Sequence, residues 1–350
     1  MNNYEKIIKE KDKIILELKE KINNLENIIK EKDKIKLELK EKKQIIEEKT
    51  NLYYDFNINL KNPIHIDKKI LSCLCLLDDG RIASGSLDNS ITIFNKISYK
   101  PDLIINEHAS FINSMIKLGE NILVSCSSDK TIKLFKIKDN NYEVIQILNF
   151  HKSSVNKIIE LKNKNLVSIS NDKSIIFYKK YNSKYQKENE ILTNNECHSI
   201  TQTKENEICY SEHLNASIYD IYFSDFNGNK LKLPISKIRI SGCLGTFNMI
   251  TKDLLIIGGF DTIYIIDVNL HKTSKIIEVP DSKWIRGFCM LNENMFLTGD
   301  NGTIKQWKIE NCNINLFSKK EKAHKDLIYS IITIGEGKIA SSSKLSIKIW

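Results

Sequence analysis

The strongest constraint on this 350-residue chain is a motif that returns seven times, at intervals of about 40 to 46 residues. It reads RIASGSLDNSITIFN from Arg81, NILVSCSSDKTIKLFK from Asn121, NLVSISNDKSIIFYK from Asn165 and EICYSEHLNASIYDI from Glu207. It returns as DLLIIGGFDTIYIID from Asp253, NMFLTGDNGTIKQWK from Asn294 and KIASSSKLSIKIW from Lys338. Each copy is an apolar run, a step of small residues, a turn, and an alternating run ending in a large side chain. The turn residue is Asp88, Asp129, Asp172, Asn215, Asp261, Asn301 or Lys344, and the terminal residue is Phe94, Phe135, Tyr178, Ile221, Ile266, Trp307 or Trp350. Alternation with period two marks strands, and Asp or Asn at a tight turn accepts local backbone donors.

A repeat of this length is one supersecondary unit that cannot bury its faces alone, so neighbours must stack. Seven units, each with room for four short strands, predict an all-β fold: a seven-bladed β-propeller of four-stranded antiparallel blades over residues 51–350. The chain stops in a third strand at Trp350, so the last blade needs a strand from elsewhere. The run YYDFNINL, within residues 52–60, is the expected donor.

The run SSDKTIKLFK from Ser127, preceded by His108, is similar to the WD-repeat β-propellers. So are Asp172-Lys173-Ser174-Ile175 after His151, and Asn301-Gly302-Thr303-Ile304-Lys305-Gln306-Trp307. The resemblance covers about residues 52–350. It implies that His65, His108, His151 and His324 lead four of the seven blades in structural roles. It also implies that a leading His, a strand Ser or Thr and a terminal Trp link into a buried polar chain. No unit keeps the whole set: those with His and Asp end in Phe or Tyr, and the unit of Trp350 has Lys344 in place of Asp. The pattern is faintest in the fourth and fifth units, so blade boundaries between 180 and 237 stay open. The resemblance further implies that partners bind at the top of the inner strands. Five residues after the leading His, those positions are Asn113, Asn156 and Tyr329, and alignment of apolar positions adds Ser72, His198, Gly245 and Arg286. Trp284 stands just before Arg286 as a candidate aromatic anchor, or else packs against the neighbouring blade. Trp, Tyr and Arg are enriched at binding hot spots, so Trp284, Arg286 and Tyr329 form the preferred patch.

Residues 1–50 are a different material. They carry 14 Lys and 12 Asp or Glu, so 26 of 50 are charged, against about 24% of the remainder. IIKEKDKIILELKEK from Ile7 returns 21 residues later as IIKEKDKIKLELKEK from Ile28. Three heptads is a spacing that preserves a helical face. Ile8, Ile15, Ile22 and Ile29 fall at one seam position, with Leu18 and Leu25 at the other, and neither Pro nor Gly interrupts the run. Such a stripe predicts a long N-terminal α-helix that pairs as a coiled coil. Lys36 and Lys43 at seam positions favour the competing reading, a solvated single charged helix.

Composition excludes more than it specifies. There is no apolar run long enough for a transmembrane helix, and no hydrophobic leader follows Met1. The eight cysteines lack metal-site spacing, and Cys73 and Cys75 merely alternate on one strand. Cys197 and His198 are adjacent, so on a strand they point to opposite faces and cannot act as nucleophile and base. No catalytic site, cofactor or metal is expected. The net charge of +9 rests almost wholly on lysine, since only Arg81, Arg239 and Arg286 are arginines. With abundant Ile and Asn, that reflects base composition more than affinity for nucleic acid.

The expected function is a non-catalytic, cytoplasmic protein-interaction scaffold, the nucleus not being excluded. Its propeller binds a peptide or protein, and its coiled coil joins copies of the chain or tethers it to another helix. The alternative is a substrate receptor or adaptor subunit of a ubiquitin ligase or another multiprotein complex. Association with nucleic acid ranks below both.

Overall fold

The chain divides into two units, Met1–Tyr54 and Asp55–Trp350. The structure, a computed structural model, describes residues 18–19, 21–22, 24–25, 29, 31–36, 64–65, 70–215, 218–227, 230–231, 236–241, 247–310, 313–335, 337–344 and 346–350. The described residues of the first unit are helical. Leu18, Ile22, Leu25 and Ile29 are 52%, 55%, 58% and 57% exposed. Ile8, Ile15 and most of the anticipated long helix lie outside the described residues.

The second unit is a seven-bladed propeller. Blades 1 to 7 span residues 71–105, 112–148, 155–192, 197–241, 247–278, 287–320 and 330–349, each an antiparallel sheet. Blade 4 adds a short strand, Lys230–Leu231, on the end of its third strand, while Ser236–Ser241 supplies the fourth. The core lies between blades rather than within any one. Ile91, Ile93 and Ile105 of blade 1 meet Ile112, Leu123 and Phe135 of blade 2. The same sandwich recurs between blades 2 and 3, 3 and 4, 4 and 5, 5 and 6, and 7 and 1. Burial on both faces explains why second strands such as Leu166–Ser170 read as continuous apolar or small runs, buried at every position.

Small residues do specific work at two joints. A Cβ on Gly85 would lie 2.6 Å from Cγ2 of Ile112 in blade 2, and one on Gly299 would lie 2.6 Å from Cγ2 of Ile328, which leads into blade 7. Real Cβ atoms do not approach so closely, so glycine is what lets these isoleucines seat against the preceding blade.

Polar chains thread blades 2, 3 and 7. His108 Nδ1 lies 2.7 Å from Asp129 Oδ2 and its Nε2 2.7 Å from Ser125 Oγ. His151 repeats this with Asp172 at 2.9 Å and Ser168 at 2.6 Å. The Tyr178 hydroxyl lies 3.1 Å from Ser168 Oγ and takes the part of a terminal Trp N–H. In blade 7, His324 Nε2 lies 2.8 Å from Ser341 Oγ, and the Trp350 indole donates to that oxygen at 2.7 Å. Blade 6 keeps the Trp contact, Trp307 to Thr298 at 2.8 Å, but has no leading His. There Lys305 Nζ and the Ser282 hydroxyl each reach Asp300 Oδ2 at 2.5 Å.

Three sequence expectations need correction or relocation. The last blade is closed by Ile64–His65, with Ile64 opposite Ile347 and His65 opposite Ser346. Residues 52–60, the anticipated donor, lie outside the described residues. His65 therefore belongs to the closing strand. The leading His and its partner Ser stand 17 residues apart in blades 2, 3 and 7, and the same interval back from Ser84 reaches Asp67 instead. Ser84 Oγ accordingly is buried without a partner among the described residues. Asp261 is also displaced by one. Ile263, Ile304 and Ile132 hold equivalent places in their ladders, which aligns Asp261 with Gly302 and Lys130, not with Asp129. All three adopt left-handed φ, at 54°, 83° and 75°, and the Asp129 position of blade 5 is filled by Phe260.

Candidate functional site

The inner strands begin at one end of the central channel, and six of the positions assigned to partner binding meet there. Ser72, Asn113, Asn156, His198, Arg286 and Tyr329 line one cavity of about 440 Å³. Trp284 borders it through Arg286, and Gly245 lies outside the described residues.

These positions divide into two kinds. On one side each side chain reaches the backbone of the next blade. The Ser72 hydroxyl donates to the Ile112 carbonyl at 2.5 Å. Asn113 Nδ2 donates to the Val155 carbonyl at 2.8 Å, and Asn156 Nδ2 to the Cys197 carbonyl at 2.7 Å. Asn113 also meets Ser128 and Ser154, both at 3.0 Å, and Asn156 meets Asn171 at 2.5 Å. A side chain with its donors so committed holds blades together and has little left for a ligand.

On the other side the position is Arg286. Its guanidinium carbon stands 5.0 Å from the Trp284 ring centre and 5.6 Å from that of Tyr329. Its backbone N–H is fixed to the Gly299 carbonyl at 3.0 Å, and Tyr329 N–H to Ser342 at 2.9 Å, so the stack is held from the main chain. Among the described residues the guanidinium has neither an acid nor a hydrogen-bond partner. Trp284 is 36% exposed. Stacking between two rings orders the long side chain while its planar fork of donors stays available.

The cavity is cationic. Lys157 also lines it, with Nζ 3.4 Å from the Phe247 carbonyl, and burial pulls its ammonium down to about 8. No carboxylate stands among the cavity's described lining residues. Sequence reasoning missed Lys157 because lysine is so common in this chain. It also missed Phe111, 46% exposed, although Phe111 stands two residues before Asn113 as Trp284 does before Arg286. That offset was the signal that could have found it.

Blade 4 contributes His198, whose Nδ1 lies 3.2 Å from the Tyr219 hydroxyl and whose Nε2 lies 3.6 Å from Glu196. Burial, then the neighbouring His213, lowers its basicity. Cys197 beside it is fully buried, and burial pushes its thiol up to about 12. The other described cysteines are partly or fully buried. Burial likewise raises Cys73 to about 11 and Cys289 to about 11, so thiolate chemistry is disfavoured at each.

Residues 100–136, which run from the fourth strand of blade 1 through the third strand of blade 2, match the family model "WD domain, G-beta repeat". Two curated relatives share short stretches with the chain. One is actin-interacting protein 1 of Caenorhabditis elegans, 43% identical over 63 residues, which is 17% of this chain and 10% of that protein. The other is an uncharacterized WD repeat-containing protein of Schizosaccharomyces pombe, 30% identical over 76 residues, or 21% of this chain and 14% of that protein. The chain thus spans a small fraction of the relatives it matches. Propellers built from such repeats are typically protein-interaction scaffolds and are generally non-catalytic. No helix among the described residues is long and apolar enough to cross a membrane.

Proposed function

We propose that the propeller is a protein-interaction scaffold whose channel mouth, beside blades 6 and 7, receives an acidic segment of a protein partner. The observation that carries this reading is Arg286, held between Trp284 and Tyr329 with no acid to pair with among the described residues. Its fork can take a carboxylate in a bidentate pair, the two rings offer apolar contact beside it, and Lys157 adds a second cation deeper in the cavity. The N-terminal helix supplies valency: a chain that pairs through Leu18, Ile22, Leu25 and Ile29 carries two such mouths and gains avidity for a repeated target.

Proximity labelling and pull-down with the wild type beside the Trp284→Ala/Arg286→Ala/Tyr329→Ala variant test the mouth. Light scattering of both, and of a Leu18→Asp/Ile22→Asp/Leu25→Asp variant, tests the helix. The mouth variant is expected to keep its mass in solution and lose its partners, and the stripe variant to fall to a monomer. An unchanged partner set discards the mouth; a wild-type monomer discards the helix.

A further inference from the structure

A second cluster stands on blade 4, where the polar chain of blades 2 and 3 is missing. The leading position there is Asn194 and the turn position Asn215. In their place, Glu196, His198 and His213 bring one carboxylate and two imidazoles within 4.8 Å of one another. The backbone makes this arrangement. Glu196 and His213 face each other across the first two strands, joined by a 2.8 Å bond from His213 N–H to the Glu196 carbonyl. His198 follows Glu196 by two residues and so shares its face, and a bulge between Cys197 and Ser199 re-aims it. The two imidazoles stack with centres 4.8 Å apart and planes 26° apart.

We propose that Glu196, His198 and His213 form a three-ligand site for a divalent transition metal, zinc foremost, with a fourth coordination position left for water or a partner's side chain. Two imidazoles and a carboxylate suit zinc, whereas calcium and magnesium prefer all-oxygen sets. Donors 2.0–2.1 Å from a tetrahedral ion lie about 3.3 Å apart. His198 Nε2 and the Glu196 oxygen are already 3.6 Å apart, and side-chain rotation that unstacks the half-buried imidazoles would close the wider separation. Tyr219 pairs with His213 across the strands and sits 3.2 Å from His198 Nδ1. If Nδ1–H donates to the tyrosine oxygen, Nε2 keeps its lone pair for the ion, as outer partners of metal-bound histidines arrange. Glu196 has no Lys or Arg partner among the described residues, so its charge is not already neutralised. The buried thiols do not compete. His198 also lines the channel mouth, which would put the ion within reach of whatever docks there.

The test is calorimetric titration of zinc alone into the metal-stripped full-length chain, with cobalt absorption as a spectroscopic readout. The wild type is expected to take one zinc per chain, to melt at a higher temperature when loaded, and to give the intense visible bands of four-coordinate cobalt. His198→Gln/His213→Gln should weaken zinc at least about 100-fold and abolish those bands. Glu196→Gln should weaken zinc less. His271→Gln, which removes an imidazole paired with Glu207 elsewhere, should bind as the wild type does. Metal-free melting curves establish that each variant is folded. No stoichiometric uptake by the wild type, or equal uptake by the double variant, overturns the site.

Discussion

Blades 2 and 3 and blades 6 and 7 are built on one motif, yet they treat the same positions in opposite ways. In blades 2 and 3 polar groups are matched: each leading His faces an Asp, and Asn113 and Asn156 are spent on the carbonyls of the next blade. In blades 6 and 7 that matching is broken at two of these positions. His324 has serines in place of an Asp and Lys348 close by, and Arg286 has aromatic faces and no acid among the described residues. The lesson is that a repeat can divide labour without changing its backbone, with one arc of the ring stitched by these side chains and the other not, as the proposed recognition role requires.

The largest expected effect breaks the stitching directly. Asn156→Ala removes donors from the Cys197 carbonyl and from Asn171, and an unpaired buried acceptor costs about 1–3 kcal/mol. We expect a loss of about 3 kcal/mol by chemical denaturation. Arg286→Ala, at the equivalent place, should cost under about 1 kcal/mol, the scale of an exposed cation–π contact, while abolishing partner capture. Equal losses in the two variants would erase the division of labour.

That division was only half legible in the sequence. The seven-fold period gave the blades, because strand alternation and turn chemistry act locally and repeat. It could not separate Asn156 from Arg286 as partner-binding positions, because the difference lies in what the next blade presents to each. His65 and Asp261 show the limit at single-residue scale. Each has the right residue type near the right place, but hydrogen-bond register decides, and it shifts His65 by two residues and Asp261 by one. The Glu196, His198 and His213 cluster was hidden for a related reason: its members come from two strands and a bulge, and no sequence spacing records them as a set.

The next effect sharpens the comparison by pH. Burial, then the charge of Lys348, lowers His324 from 6.5 to about 3. The unfolded chain therefore takes a proton there more readily than the folded one. This contribution to stability is complete above pH 6.5 and is lost as pH falls from there toward about 3, reaching about 2 kcal/mol at pH 5. Blades 2 and 3 respond at lower pH. Burial opposes ionisation of Asp129 and Asp172, but hydrogen bonds from His108 and Thr131, and from His151 and Ser174, outweigh it and hold both carboxyls far below the usual range. Their contribution persists until pH drops below the ordinary carboxylate value. Denaturation midpoints at pH 7 and pH 5 should therefore fall further in the wild type than in His324→Gln. Parallel losses would show that His324 is not the responsive group.

The smallest effect has the opposite sign. Ser168 and Ser84 hold the same place in blades 3 and 1, and both are fully or almost fully buried. Ser168 links His151 to Tyr178, whereas Ser84 Oγ has no partner among the described residues. A buried hydroxyl without a partner carries a desolvation cost that nothing returns, and alanine of similar shape removes it. Ser168→Ala should therefore lower stability by about 1–2 kcal/mol, since His151 Nε2 loses its hydrogen-bond partner. Ser84→Ala should leave stability unchanged or raise it by up to about 1 kcal/mol. A loss at Ser84 comparable to that at Ser168 would mean that the Ser84 hydroxyl is hydrogen-bonded after all, and that the stitched arc of the ring is one blade longer than the described hydrogen bonds indicate.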